Sequence, residues 1–254
     1  MAIALKCLRI LLLVNLFIAS VTLVAQDEII LKKGDPVKGE ILRVQAPKFI
    51  FVKVPQGEIP FPMNNVKKII LGERPAYEKG INAYSEGKYA DAIAALQPLV
   101  NKYMIPELQA AWVADAASYI AQAHAQMEKT FDAEQMAKRI VDTYRGTELE
   151  DVGKVAQAHI AFKKDQFDQA YSLINEITAN VKVDEVIPPK ADLIMLGGLL
   201  YMKAQVEEKK GNNVEALENY LKVALIYNKP EQRARKAQQR ADLLRQKNPN
   251  LTVN

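Results

Sequence analysis

Two hydrophobic patterns follow one another along this chain. Between Glu28 and Leu71, short apolar runs are separated by the turn-forming stretches KGDP, QAP, PQG and PMNN, which is typical of β-strands joined by tight turns. From Ala76 onward, alanines and larger apolar residues recur three and four positions apart, the spacing of one helix face. The pattern therefore predicts a small all-β segment followed by a mainly helical one.

The stretch EGKYADAIAALQPLV predicts the joint between two antiparallel helices. Gly80 and Ala83 precede it at helical spacing, and Ala92 follows Gly87 within the next helix. Gly87 can supply the positive φ of a tight turn, and the small residues allow the helix axes to approach closely. Tyr89 stands where a phosphate-binding loop needs Ser or Thr, which argues against a nucleotide site.

The same pattern recurs three more times. The alanine after the turn recurs at Ala92, Ala133, Ala170 and Ala216, at intervals of 41, 37 and 46 residues. The small residue before the turn recurs at Gly80, Ala121, Ala158 and Ala204, and the turn itself is predicted at Gly87, Asp165 and Gly211 in the first, third and fourth hairpins. Three of the predicted helical hairpins also end on a tyrosine, at Tyr103, Tyr144 and Tyr227. Recurrence of this kind indicates a repeat architecture.

These residues resemble the tetratricopeptide repeat (TPR) over residues 76–227. The resemblance implies a right-handed α-solenoid with an inner groove lined by the first helix of each hairpin. The intervals exceed the 34 residues of that family, and longer first helices over 106–129 and 188–210 are predicted to absorb the difference. The repeat ends are similar to those of exported bacterial TPR proteins of the cell envelope.

The β segment resembles the SH3-like and Sm-like small barrels. Five short strands are predicted within about 45 residues, and a closed or nearly closed barrel would protect the edges of so small a sheet. In Sm-like proteins the pattern would imply RNA binding and a ring. A barrel that docks on the helical part or on another protein is the alternative.

The N-terminus carries the features of a secretory signal. Lys6 and Arg9 precede an apolar run from Ile10 to Ala25, too short for an ordinary membrane span. Cleavage is predicted after Ala25, and an uncleaved anchor is the alternative. Cys7 is the only cysteine, so the mature chain would have no disulfide and no sulfur-ligated metal.

Four regions follow from these patterns. They are a signal peptide over 1–25, a small five-stranded β-barrel over 26–72, four TPR-like helical hairpins over 76–228, and a C-terminal capping helix with a polar tail over 229–254.

The distribution of charge indicates a binding surface only in the last predicted helix. The chain has a formal net charge of +4, which does not indicate a nucleic-acid binder. The helix Glu231–Lys247 carries an apolar stripe and a separate basic face made of Arg233, Lys236, Arg240 and Lys247. Capping of the repeat stack explains this helix, and contact with an anionic lipid or an acidic partner is the alternative.

Candidate binding residues come from the TPR resemblance. It places groove positions at Tyr77, Ile81, Tyr84, Val155, His159, Phe162, Tyr201, Gln205 and Glu208. Such a groove would be apolar and aromatic, suited to a helix or an extended hydrophobic segment. Simple core packing of the same residues is the alternative. The two imidazoles, His124 and His159, lie in different repeats. His124 occupies a small-residue packing position, which predicts a core or half-buried role, and His159 has no carboxylate or second histidine at metal-ligand spacing.

The sequence therefore predicts an exported, non-catalytic adapter that binds a protein partner in the cell envelope and has no cofactor, catalytic residue or metal ligand. No hydrolase or metalloprotease motif is present. Two alternatives remain open. One is a ring-forming or nucleic-acid-binding small-barrel protein, and the other is a cell-wall-associated enzyme with an unrecognised site. The identity of the partner is not encoded in these patterns.

Overall fold

The computed structural model describes residues 26–45, 48–179, 193–228 and 231–251. The chain divides into two compact units, Met1–Pro75 and Ala76–Asn254. Their described parts are called here the sheet unit (residues 26–75) and the helical unit (residues 76–251). The predicted signal segment over 1–25 lies outside the described residues.

The sheet unit is a five-stranded antiparallel sheet. Its strands are β1 Asp27–Leu31, β2 Val37–Gln45, β3 Phe49–Val54, β4 Gly57–Pro62 and β5 Val66–Ile70. They pair in the order β4-β3-β2-β1-β5, so β4 and β5 stand at the two ends of the order. The predicted strands are confirmed, with ends that agree to within about two residues. Apolar residues alternate along each strand, and turns that contain Gly or Pro mark where the strands end.

The sheet unit buries a small apolar core and one acidic side chain. The core residues are Ile29, Ile41, Ile50, Val52 and Leu71, and Asp27 is only 1% exposed. A register shift between Ile41 and Arg43 marks a bulge where β2 pairs with β3, and such bulges increase the local bend of a strand.

The helical unit makes the protein mainly helical. Within the described ranges the helices are α1 Pro75–Ser85, α2 Tyr89–Tyr103, α3 Ala111–Gln126, α4 Thr130–Tyr144, α5 Glu150–Lys163, α6 Phe167–Ala179, α7 Leu193–Lys210, α8 Asn213–Leu225 and α9 Glu231–Lys247. From α2 to α9, each helix that follows another packs against it, and α5 also contacts α3 and α7.

Four of the turns between helices share one backbone geometry. Each of these turns contains one residue in the left-handed region. These residues are Gly87, Glu128, Asp165 and Gly211, whose φ angles are 78°, 61°, 58° and 83°. The backbone N–H of the next residue donates to the carbonyl five residues earlier, at 2.9 Å in all four turns: Lys88 to Ala83, Lys129 to His124, Gln166 to Ala161 and Asn212 to Glu207. This hydrogen bond closes a helix on a left-handed residue.

The left-handed residue stands two places before helices α2, α4, α6 and α8 in every case. The sequence predicted Gly87, Asp165 and Gly211 at these turns, and the structure confirms all three and adds Glu128. Glycine adopts a positive φ without strain, whereas Glu128 and Asp165 adopt it at a steric cost. The shared geometry shows that the four hairpins are structural equivalents as well as sequence repeats.

The small residues predicted at the helix joints are buried. Gly80, Ala121, Ala158 and Ala204 lie on the first helices, and Ala92, Ala133, Ala170 and Ala216 lie on the second helices. A side chain added at Gly80 would collide with Leu96, so close approach of α1 and α2 requires glycine there. The predicted tyrosines Tyr103, Tyr144 and Tyr227 are also buried, at 3%, 0% and 2% exposure.

One predicted helix start differs from the structure, and another lies outside the described residues. The first helix of the second hairpin begins at Ala111 and not at 106, because residues 106–108 form a 3-10 turn and Gln109 has the non-helical angles φ 8° and ψ 48°. The buried face of α2 continues to Val100, while Leu99 is half-buried. In the fourth hairpin α7 begins at Leu193, and the predicted start at 188 lies outside the described residues.

Candidate functional site

The predicted groove residues are all partly accessible to solvent. All nine are half-buried and lie on the first helices α1, α5 and α7. We call this surface, together with the equivalent positions of α3, the first-helix face. Its members on α3 are Ser118, Gln122 and Gln126. Gln122 and Gln126 contact predicted groove residues of α1 and α5, and Ser118 accepts a hydrogen bond from Gln122.

Tyr84 connects α1 to α3 on this face. Its ring packs edge-on against Tyr119 at 5.0 Å and against Tyr89 at 5.5 Å between centroids. The Tyr84 hydroxyl donates to Gln122 Oε1 at 3.3 Å, and the Gln122 amide donates to Ser118 Oγ at 3.1 Å. Burial, with smaller contributions from Tyr89 and Tyr119, raises the pKa of Tyr84, so the phenol remains a hydrogen-bond donor at neutral pH.

His159 connects α5 to α3. The side-chain amide of Gln126 lies 3.3 Å from His159 Nε2. Because an amide nitrogen can only donate, the imidazole nitrogen accepts, which requires a neutral ring. Burial, followed by the nearby charge of Lys163, lowers the pKa of His159 to about 4, in agreement with that proton assignment.

The remaining aromatic groove residues pack in pairs. Tyr77 lies against Trp112 at 5.5 Å, and Phe162 lies against Phe167 at 5.8 Å between ring centroids. Phe162 and Val155 also contact the buried cluster shared by α5 to α9. The predicted groove residues therefore serve in part as core, which was the alternative considered from the sequence, and their role in binding stays a prediction. Ile81 and Gln205 are half-buried on the same face.

A second group of contacts lies on α7. Tyr201 packs edge-on against Tyr220 at 5.6 Å. The Tyr220 hydroxyl donates to Glu208 Oε2 at 2.8 Å, and Arg240 of α9 lies 3.5 Å from Glu208 Oε1. Burial and the hydrogen bond to Glu208 raise the pKa of Tyr220. This end of the first-helix face therefore carries charge, whereas the contacts around Tyr84 and His159 are between neutral groups.

The basic residues predicted on α9 do not all face solvent. Arg233 is half-buried, and its guanidinium would lie 3.5 Å from a side chain at Gly198. Arg240 reaches Glu208, while Lys236 and Lys247 are exposed. The predicted apolar stripe is confirmed, since Ala237, Ala241 and Leu244 are buried and Ala234 is half-buried.

Four residues on or beside this surface were not predicted from the sequence: Ser118, Tyr119, Gln122 and Gln126. A signal for two of them was present, because adding the 41-residue interval to Tyr77 and Ile81 gives Ser118 and Gln122. The second hairpin has its aromatic residue Phe131 one position late, and this ring is 71% exposed. The misplaced aromatic obscured the equivalence from which these residues follow.

His124 lies away from the first-helix face, beside an open cleft of about 870 Å³. The cleft is also lined by Asp132, Arg139 and Asp142 of α4. His124 Nδ1 is buried and lies 3.9 Å from Asp132 Oδ2, beyond hydrogen-bond distance. Burial lowers the pKa of His124. The expectation of a half-buried packing role agrees with its 16% side-chain exposure.

No group of three or more His, Cys, Asp or Glu side chains among the described residues could hold a metal ion. No helix in the described ranges combines the length and apolar character that crossing a membrane requires.

Comparison with known proteins does not identify a family. No family model matches the chain, and no curated protein matches it.

Proposed function

We propose that this protein is a non-catalytic scaffold of the bacterial cell envelope that binds a protein partner through the first-helix face. In this proposal the four hairpins form a right-handed TPR-like α-solenoid, the sheet unit closes as an SH3-like small barrel, and residues 1–25 direct export. The observation that carries the proposal is the equivalence of the four hairpins, with the same turn geometry at Gly87, Glu128, Asp165 and Gly211.

The chemistry of the first-helix face supports binding of a peptide segment. Half-buried aromatic rings at Tyr84 and Phe162 offer apolar contact area, and aromatic residues contribute strongly to protein interfaces. The Gln122 and Gln126 amides have both donor and acceptor atoms, which suit the backbone of an extended peptide. A neutral His159 adds hydrogen-bonding capacity without charge.

Site-specific photocrosslinking in the source organism would test this proposal. A photoreactive benzoylphenylalanine is introduced separately at Ile81, at Gln205 and at Phe131. The first two positions lie on the first-helix face, whereas Phe131 lies in the first turn of α4 and is 71% exposed. We expect both face positions to capture one common protein and the Phe131 position not to capture it.

The crosslink to the partner should also depend on the aromatic side chains of the first-helix face. A folded variant with Tyr77→Ala and Phe162→Ala should lose the crosslink from Gln205, because these rings supply apolar contact area on the same surface. Equal capture of the same protein from Phe131, or full capture in the double variant, would contradict the proposal.

A further inference from the structure

The positive charge of this protein is concentrated on its last described helix. Helix α9 carries six basic side chains (Arg233, Arg235, Lys236, Arg240, Arg245 and Lys247) and two acidic ones (Glu231 and Asp242). Its net charge is therefore +4, equal to the formal net charge of the whole chain. The remaining 28 basic and 28 acidic residues balance. A charge segregated in this way creates a local field that attracts anions.

Part of this charge borders the first-helix face. The Arg233 guanidinium lies beside Gly198, 3.5 Å from where a Cβ atom would stand, and Arg240 reaches Glu208. Burial raises the pKa of Tyr201, while the neighbouring Arg240 and Arg233 act in the opposite direction. Lys236 is exposed and is three and four positions from these arginines, so it shares their side of the helix.

We propose that the side of α9 carrying Arg233, Lys236 and Arg240 binds an acidic segment of the protein partner, at the α7 end of the first-helix face. This inference rests on the proposed function and names the chemistry of its partner. Opposite charge selects and orients such a segment, while Tyr201 and the neutral part of the face accept its apolar residues.

An acidic protein segment fits this surface better than a membrane does. Helices that bind the membrane interface bury an apolar face among the lipids. The apolar stripe of α9 is already covered, since Ala237, Ala241 and Leu244 are buried. Leu243, at 47% exposure, is the exposed large apolar side chain of this helix within the described residues. Arg233 and Arg240 are also directed toward α7.

Glu208 shows how a carboxylate can be held here. It accepts the Tyr220 hydroxyl at 2.8 Å and lies 3.5 Å from Arg240. A carboxylate of the partner would compete with Glu208 for Arg240. Removing the charge of Glu208 should therefore strengthen binding of an acidic peptide. The opposite effect is expected if Glu208 accepts a hydrogen bond from the peptide.

The test measures the affinity of the purified protein for a labelled peptide in which glutamate alternates with leucine. A peptide with glutamine in place of glutamate is the control. Lys236→Gln with Arg240→Gln should weaken binding about five- to tenfold, since each exposed charge pair contributes modestly. The matched variant Arg235→Gln with Arg245→Gln removes the same charge from other sides of α9 and should change affinity less than about twofold. Glu208→Gln should tighten binding.

Specific outcomes would overturn the inference. Equal losses in the two double variants would mean that only net charge acts. Vesicles of phosphatidylglycerol and phosphatidylcholine that bind the protein through Lys236 and Arg240, while the peptide does not bind, would assign the surface to lipid. If the glutamate peptide fails to bind but the crosslinks from Ile81 and Gln205 persist, the acidic partner is wrong and the proposed function stands. If those crosslinks fail while the peptide binds as expected, the proposed function is wrong.

Discussion

The sheet unit and the helical unit obtain their stability from different kinds of contact. The sheet unit buries five apolar residues and one carboxylate, Asp27. In the helical unit, the same joint of small residues recurs in hairpin after hairpin, and buried clusters extend over several helices. The comparison teaches that a small core depends on single interactions, whereas a repeated core distributes its stability over many similar ones.

Asp27 connects three parts of the sheet unit. Its carboxylate accepts the backbone N–H of Ile41 at 2.7 Å and of Gly72 at 2.9 Å. Arg74 donates to both carboxylate oxygens at 2.8 and 2.7 Å, and its other nitrogen donates to the Gly72 carbonyl at 3.1 Å. The two charged side chains are 0% and 12% exposed. Four hydrogen bonds to one buried carboxylate therefore fix β1, β2 and the segment after β5 together.

The largest expected effect is the loss of this carboxylate. Asp27→Ala removes the carboxylate that pairs with the Arg74 guanidinium and accepts two backbone N–H groups, which should cost about 3–5 kcal/mol. That is most of the stability expected of so small a unit. Hydrogen exchange followed by mass spectrometry should show loss of protection over residues 28–71 with little change beyond residue 89.

The neighbouring Glu28→Ala is the matched control, because Glu28 is half-buried on the adjacent position of the same strand. It should leave exchange in the sheet unit nearly unchanged. Retained protection in the Asp27→Ala protein would show that the apolar core alone is sufficient.

The next effect concerns acid sensitivity of the helical unit. The pKa of His159 is about 4 in the fold and 6.5 without it, so the neutral ring is favoured on folding. As pH falls below 6.5 the unfolded chain binds the proton first, and the free energy of unfolding decreases by up to about 3 kcal/mol by pH 4, with no further loss from this group below that. Urea titrations at several pH values should show this decrease in the natural protein.

His159→Gln removes the titrating ring and keeps an amide on the same face. Its unfolding free energy should fall less between pH 6.5 and 4 than that of the natural protein. Parallel curves for the two proteins would mean that protonating His159 in the fold costs little free energy. They would contradict the expected acid sensitivity of the helical unit.

The smallest effect compares two glycines within helices. An added side chain at Gly153 of α5 would lie 2.6 Å from Val141 Cγ2 and 2.9 Å from the Val141 backbone nitrogen. Gly153→Ala should therefore destabilise the helical unit by about 1–3 kcal/mol. At Gly198 of α7 the nearest atom is the Arg233 guanidinium at 3.5 Å, an ordinary contact. Gly198→Ala should stabilise by up to about 1 kcal/mol because alanine favours a helix.

Thermal unfolding of the two alanine variants measures the difference directly. The midpoint should fall for Gly153→Ala and rise for Gly198→Ala. A rise in both would show that α4 and α5 separate easily, and that the helical unit tolerates changes at its joints.

Local patterns in the sequence were sufficient to predict the elements and the turns. Strand bounds followed from alternating apolar positions, and the hairpins followed from small residues and glycine at fixed offsets. These features depend on residues within a few positions of one another, so they can be read along the chain. Part of the first-helix face, through Tyr84, His159 and Phe162, was predicted from the resemblance to the tetratricopeptide repeat and not from these local patterns alone.

The tertiary structure alone decided which distant side chains meet. Asp27 and Arg74 are 47 residues apart, Gln126 and His159 are 33 apart, and Glu208 and Arg240 are 32 apart. No periodicity links the members of such pairs, because each contact depends on how separate strands or helices pack. The sequence by itself therefore determined where each element lies and which residues are small enough to form the joints. Packing determined the buried ion pair of the sheet unit, the neutral state of His159 and the position of the α9 arginines beside α7.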